Sequence, residues 1–483
     1  MTRRVVGPFN RVEGDLEISL DVSDGYVTAA YVNAPMYRGF EQMLLDKVPA
    51  DALVLVPRIC GICSVAQSAA AARALASACG AEPPPNGRLA ANLTQAAENA
   101  ADHLTHFYLF FMPDFANAAY RDRPWYEAIA NRFRAIHGTA AAEVLAGRAA
   151  FMRVMGLLAG KWPHTLSLQP GGSSRPLQAS EKIRLFRTLR EFREFLERVV
   201  YGDTLENIAS LATCDELAAW AEAHADRADF ARFVRIAADL RLHELGRNQT
   251  VMMSAGAYQQ EAGMLFARGV WSGQEEPLDP ATIKEDIRFS HYGGDARARS
   301  PEEGETLPQM GKEGAYSWCK APRLGGRVAE TGALARQVIA RHPLARDLVS
   351  RDGGNVTARV VARLLELARL VPAMESWTQQ LRPGEPYHIP PPPMPDSADT
   401  FGLIEAARGT LGHWMSIRRG RLRNYQIIAP TTWNFSPRDA NGTPGAVEQA
   451  LVGTPAHDTE GGIAPAVYHV VRSFDPCMVC TVH

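Results

Sequence analysis

Two Cys-x-x-Cys pairs stand near opposite ends of this chain, and together they constrain its fold more than any other feature. The first is Cys60-Gly61-Ile62-Cys63. The second is Cys477-Met478-Val479-Cys480, followed by Thr481, Val482 and a terminal His483. A two-residue gap lets both sulfurs turn toward one point, as in metal sites and dithiol redox sites. Termini usually fray, and an exposed free thiol is a liability. A tail ending in two thiols and an imidazole therefore needs something that holds it down. The pairs lie 417 residues apart, too far for a local zinc knuckle. A site shared between them would thread the end of the chain back to its start.

Other bulk features narrow the class. A length of 483 residues fits about three domains or one large interwoven unit. The chain is 46% hydrophobic, enough for a sizeable core. Its 51 basic and 53 acidic side chains nearly cancel, and no long basic run points to nucleic acid. Cys79, Cys214 and Cys319 are isolated and read as small buried hydrophobes. That Cys usage fits a reducing compartment. Arg3 and Arg4 lack an apolar stretch behind them, so the start does not read as a signal peptide. No window reaches the length of a membrane span. The expectation is a cytoplasmic protein with no direct membrane insertion.

Along the chain the pattern is mainly α with small β elements. Residues 15–34 read as a β-hairpin turning at Asp24-Gly25. Residues 36–47, which include Glu41, read as a short helix. The Ala-rich stretch from Cys63 to Cys79 reads as a helix that Ser64 could cap. That would put Cys63 near a helix N-terminus, where a thiolate is favoured. Residues 89–112 carry an apolar stripe from Leu89 to Phe111, with Asp102, His103 and His106 on the same helix. Further helical patterns cover 123–160, 180–210, 214–246, 328–345 and 354–381. The loop Pro170 to Pro176 lacks phosphate-binding spacing and reads as a turn. Residues 383–395 read as a stiff Pro-rich connector. Residues 265–328 break the pattern, as a functional or partner-facing excursion would.

Four thiolates suit soft or borderline metals: zinc, iron–sulfur iron, copper(I) or nickel. Zinc's usual spacing is local, which counts against it here. A reducing compartment disfavours disulfides. Two separate dithiol motifs remain open, and the residues alone do not choose the metal.

The motifs together resemble the large subunit of a nickel–iron hydrogenase. The resemblance is carried by Asn10-Arg11-Val12-Glu13-Gly14, by Arg58 to Cys63, and by Ser317-Trp318-Cys319-Lys320-Ala321-Pro322-Arg323. It continues in Arg408-Gly409, Asn424-Tyr425-Gln426, Pro430 to Asn434, and Asp475 to His483. It implies one large-subunit unit built around a bundle of long helices. Within it, 1–50 would be an N-terminal β-hairpin region, 51–264 a helical core, 265–328 an irregular excursion, and 329–483 a helical region with the metal-binding tail.

The resemblance also implies roles. Cys60 and Cys477 would be terminal nickel ligands, and Cys63 and Cys480 would bridge to an iron carrying two cyanides and one carbon monoxide. Glu13 would relay protons, and Arg408 would sit over the open metal position, held by Asp102 and Asp475. Glu41, the Ile427 carbonyl and His483 would bind magnesium. An iron–sulfur small subunit would carry electrons away, as a heterodimer or a dimer of heterodimers. The substrate would be H2, cleaved reversibly and heterolytically.

Three positions depart from the common pattern of energy-converting members. Gln67 replaces a His, while Ile62 and Phe110 replace smaller residues and would narrow a gas channel. The sequence also stops at His483. These features resemble the hydrogen-sensing subclass, which signals to a histidine kinase through the small subunit. An energy-conserving uptake enzyme is the alternative reading, and a non-catalytic scaffold is the alternative of another class.

Overall fold

The computed structural model describes residues 2–295, 297–459, 462–481 and 483. Val482 of the terminal motif lies outside the described residues. The expected hairpin is present, with one strand more. β1 (Thr2–Val6), β2 (Glu17–Ser23) and β3 (Tyr26–Asn33) form an antiparallel sheet in that order. Asp24 and Gly25 both have positive φ, 54° and 81°, so the turn's twist matches that of its strands.

Helix α1 (Ser64–Cys79) starts directly after Cys63. Its buried alanines let a strand lie almost on its backbone. A Cβ at Gly402 would come within 2.2 Å of the Ala70 carbonyl, so that strand needs glycine there. Helix α2 (Pro85–Thr105) continues through a π-helical turn, His106–Phe111, and buries Leu93, Ala97, Ala100, Leu104, Phe107 and Phe111. Further on come α3 (Ala333–Ile339), α4 (Val356–Gln380) and α5 (Pro465–Ser473). Helix α4 lies against α2 and buries Val360, Leu364, Leu367, Leu370 and Val371. Each such side chain contributes about 1.5–3 kcal/mol on leaving water. Helices dominate the fold, as the sequence pattern predicts.

The strands depart from expectation in two regions. A hairpin, β4 (Val251–Gln260) with β5 (Gly263–Trp271), runs into the stretch read as irregular, and β6 (Ala329–Thr331) pairs with β4 in parallel. Within 329–483, read as helical, lies a meander of β7 (Ser397–Ala406), β8 (Gly409–Arg418) and β9 (Arg421–Ile428). Strand β8 is buried on both faces along nearly its whole length. Such a strand shows no alternation of apolar and polar residues, so the period-two signal is absent. Among the described residues, no helix is long and apolar enough to cross a membrane.

Candidate metal centre

The two Cys pairs meet. The four Sγ atoms lie within 4.8 Å of one another, and all four residues are buried. Cys60 and Cys477 are 3.5 Å apart, Cys63 and Cys480 3.1 Å, and Cys477 and Cys480 3.0 Å. Burial pushes the Cys477 thiol well up, while hydrogen bonds from Cys477 and Cys480 hold Cys60 well below its ordinary value. Packed thiols of this kind share protons and cannot all ionise without a cation. A soft or borderline metal supplies that charge, so the donor set fits one.

The first pair is held by secondary structure. Cys63 sits at the N-cap of α1, but Ser64 is not the cap. Glu98 of α2 takes that role: it accepts from the Val65 and Ala66 amides at 2.9 and 3.0 Å and from the Trp162 indole at 2.9 Å. The helix start is thus satisfied by a side chain 34 residues downstream of Ser64, beyond the reach of a local capping rule.

The second pair is held by the far end of the chain. The Met478 amide donates to the Glu13 carbonyl at 2.7 Å, and Glu13 pairs in parallel with Cys477. Gly14 has φ +80°, and a Cβ there would meet Val479 at 2.9 Å. The Asn10 to Gly14 motif therefore works first as a backbone clamp on the tail. The Cys477 amide donates to Thr431 Oγ1 at 3.1 Å. The Glu13 carboxyl is raised, first by burial and then by Cys60.

Arg408 sits in the tight turn between β7 and β8. Its Nη2 donates to Asp102 at 3.2 Å and to Asp475 at 3.1 Å, and its Nε to the Asp475 carbonyl at 2.9 Å. Burial raises Asp102 to about 7 despite Arg408. Burial also opposes the charge on Asp475, but Arg408 holds that carboxyl below its ordinary value. A small cavity of about 10 Å³ lies beside Cys63, Cys477 and Cys480, lined also by Gln67, Ala406, Arg408, Pro430 and Thr431. Gln67 Oε1 lies 2.8 Å from His413 Nε2, and His413 Nδ1 lies 2.8 Å from the Tyr425 hydroxyl. His413 carries no spacing signal, because only the packing of β8 on α1 brings it to Gln67.

Glu41, Ile427 and His483 also converge. His483 Nε2 contacts the Ile427 carbonyl and lies 3.7 Å from Glu41 Oε1, which accepts from the Ile427 amide at 2.8 Å. Lys320 lies 3.2 Å from Glu41. Ile62 packs on the apolar cluster that holds the four Cys, whereas half-buried Phe110 is not part of that cluster.

A helical chain whose two ends close a buried four-thiol site is a metalloprotein of the kind that builds a metal centre inside its core. The chain matches the nickel-dependent hydrogenase family over residues 38–122 and 130–483, and it belongs to that family. It is similar to the periplasmic NiFeSe hydrogenase large subunit of Desulfomicrobium baculatum, 29% identical over 99% of this chain and 94% of that protein. It is also similar to the uptake hydrogenase large subunit of Rubrivivax gelatinosus, 24% identical over 100% of this chain and 95% of that one. The structure of a reduced, active form of the D. baculatum Ni-Fe-Se hydrogenase superposes with a TM-score of 0.85 at 28% identity, covering 100% of both chains. The chain is a hydrogenase, an H2:acceptor oxidoreductase, and the scaffold alternative falls away.

The comparisons overturn two expectations. Hydrogen sensing gives way, and with it signal transduction and the histidine-kinase partner, because the full-length relatives include uptake and quinone-reactive enzymes. Gln67, Ile62 and Phe110 are three local substitutions and weigh less than likeness along the whole chain. The cytoplasmic expectation gives way as well, since a relative matched over 99% of this chain is periplasmic. Four of the seven Cys are buried together as a set that can hold a metal, so their unpaired state does not report the compartment.

Proposed function

We propose that this chain is the large subunit of an energy-conserving, uptake-type nickel–iron hydrogenase. The observation that carries this reading is the convergence of four buried sulfurs beneath the Arg408 guanidinium. In this reading Cys60 and Cys477 would hold nickel alone, while Cys63 and Cys480 would hold nickel together with an iron carrying two cyanides and one carbon monoxide. The small cavity lined by Ala406, Pro430 and Thr431 borders Cys63, Cys477 and Cys480. When bound, the metal pair supplies an electrophilic position at which H2 is polarised.

The remaining work falls to the protein. Arg408, fixed by Asp102 and Asp475, holds positive charge beside the sulfurs in a buried site. A terminal thiolate accepts the proton, and Glu13 carries it away. A carboxyl raised by burial is suited to hold that proton in transit. Glu41, the Ile427 carbonyl and His483 would hold magnesium, a hard cation suited to the two oxygens, with the imidazole as the softer ligand. Electrons leave through an iron–sulfur small subunit, which a chain similar to large subunits of such enzymes implies.

The test is metal analysis together with hydrogen-dependent dye reduction on the heterodimer. Equal nickel and iron with dye reduction is the expected result; zinc alone ends the proposal. Replacing Glu13 with Gln should retain both metals and abolish most hydrogen–deuterium exchange, since an amide cannot relay a proton. Undiminished exchange in that variant removes Glu13 from the relay.

A further inference from the structure

Arg336 lies fully buried on α3, and none of the roles above uses it. All five of its N–H donors are engaged. Nε and Nη2 reach the two Glu366 oxygens, each at 2.8 Å. Nη1 reaches Glu405 Oε2 at 2.7 Å. The two remaining donors go to main-chain carbonyls, Ala406 at 2.9 Å and Ala407 at 2.8 Å. Those carbonyls form the turn that presents Arg408.

The turn is held on its side-chain face by Arg408's own bonds to Asp102 and Asp475, and on its carbonyl face by Arg336. Glu405 pairs with Thr410 and Ala406 with Gly409, leaving Ala407 and Arg408 as a two-residue loop. Such loops normally take positive φ at one or both central residues, yet neither Ala407 nor Arg408 does so. Only Gly409 does, at +132°, where a Cβ would come within 2.3 Å of Thr331. The loop is therefore anchored from outside by Arg336.

A second path leads back to the same guanidinium. Asp102, which grips Arg408, is followed on α2 by His103. His103 Nε2 lies 3.0 Å from Glu366 Oε1, the oxygen that Arg336 also binds. The circuit closes through Arg336, the Ala407 carbonyl, Arg408, Asp102, His103 and Glu366. One buried guanidinium thereby ties the loop carrying Arg408 to the helix carrying its carboxylate partner.

We propose that Arg336 is a positioning residue for Arg408, setting its place over the four sulfurs through the carbonyls of Ala406 and Ala407. The proposal rests on the hydrogenase reading. Lys has three donors and no planar fork, so it cannot span both carboxylates and both carbonyls. A displacement near 1 Å at a reacting centre costs about a hundredfold in rate.

The experiment is a double-substitution cycle on the metal-loaded heterodimer with Arg336→Lys, Arg408→Lys and the pair. Hydrogen–deuterium exchange, nickel and iron content, and Tm are read on each. Arg336→Lys should retain the metals and lose about a hundredfold in exchange. In the Arg408→Lys background it should cause no further loss of exchange, although it still lowers Tm. Equal exchange in wild type and Arg336→Lys, or losses that multiply in the pair, overturns the proposal. Glu405→Gln keeps the shape of one anchor and serves where Arg336→Lys does not assemble. The same non-additivity with Arg408→Lys is expected, and additive losses again overturn the proposal. Wild-type heterodimer that lacks nickel or exchange sinks the hydrogenase reading itself, an outcome separate from either result of the cycle.

Discussion

The two Cys pairs share a spacing but not a support. Cys60 and Cys63 belong to the entry of a helix whose first amides are satisfied by Glu98. Cys477 and Cys480 belong to a tail with no regular element beyond one short turn, pinned by the Glu13 backbone, Thr431 and the terminal imidazole. The first half of the centre is preorganised by secondary structure. The second depends on contacts that exist only when the chain has closed. The same motif is thus a rigid platform at one end and a clasp at the other.

The largest effect expected from this contrast is at the clasp. Deleting His483 should leave the folded helical body and abolish metal retention, because the tail loses the imidazole that reaches Ile427 and Glu41. Nickel and iron content of the purified heterodimer measures this. Full metallation of the truncated chain would show that Glu13 and Thr431 suffice as the clasp.

An intermediate effect is expected at the platform. Glu98→Ala strips acceptors from the Val65 and Ala66 amides and the Trp162 indole, and should lower unfolding free energy by about 3 kcal/mol. Urea unfolding reads the loss, and a loss under 1 kcal/mol would mean that the helix entry is not what organises the first pair. The same carboxyl predicts a pH slope. Burial raises it from 4.5 to about 8. As pH rises, the unfolded chain releases its proton first, so this group's contribution to stability falls between about pH 4.5 and 8 and is flat beyond. Glu98→Gln cannot titrate and should make the fall of the urea midpoint across that window shallower, the remainder coming from other buried carboxyls such as Asp102. An unchanged slope would assign it to other groups.

The smallest effect concerns passage of gas. Ile62→Val with Phe110→Leu removes a methylene beside the centre and a ring from the π-helical turn, and core sites relax only partly around lost volume. Hydrogen cleavage should persist while sensitivity to an oxygen pulse rises, read by dye reduction on both proteins. Equal oxygen resistance would place tolerance at the metals or in the partner.

Much of the centre was legible because it is written in short motifs. Paired thiols, an Arg-Gly at a turn and a terminal His are each recognisable at fixed spacing. Their supports were not legible. Glu98 and Arg336 sit in segments that read as ordinary helix, His413 in a stretch not read as strand, and each acquires its role from a residue that tertiary packing brings to it. The β7–β9 meander escaped detection for a related reason. Burial on both faces removes alternation, and its polar residues are paired inside the protein.

By itself, the sequence determined the ligand types, the helical character and the need to join the two ends of the chain. Thiol chemistry and hydrophobic periodicity are properties of the residues and their spacing. The tertiary structure alone decided which carboxylates grip Arg408, which side chain caps the helix behind Cys63, and which backbone receives the tail. A hydrogen bond depends on distance and direction to about half an ångström, and across hundreds of residues only the closed fold sets these.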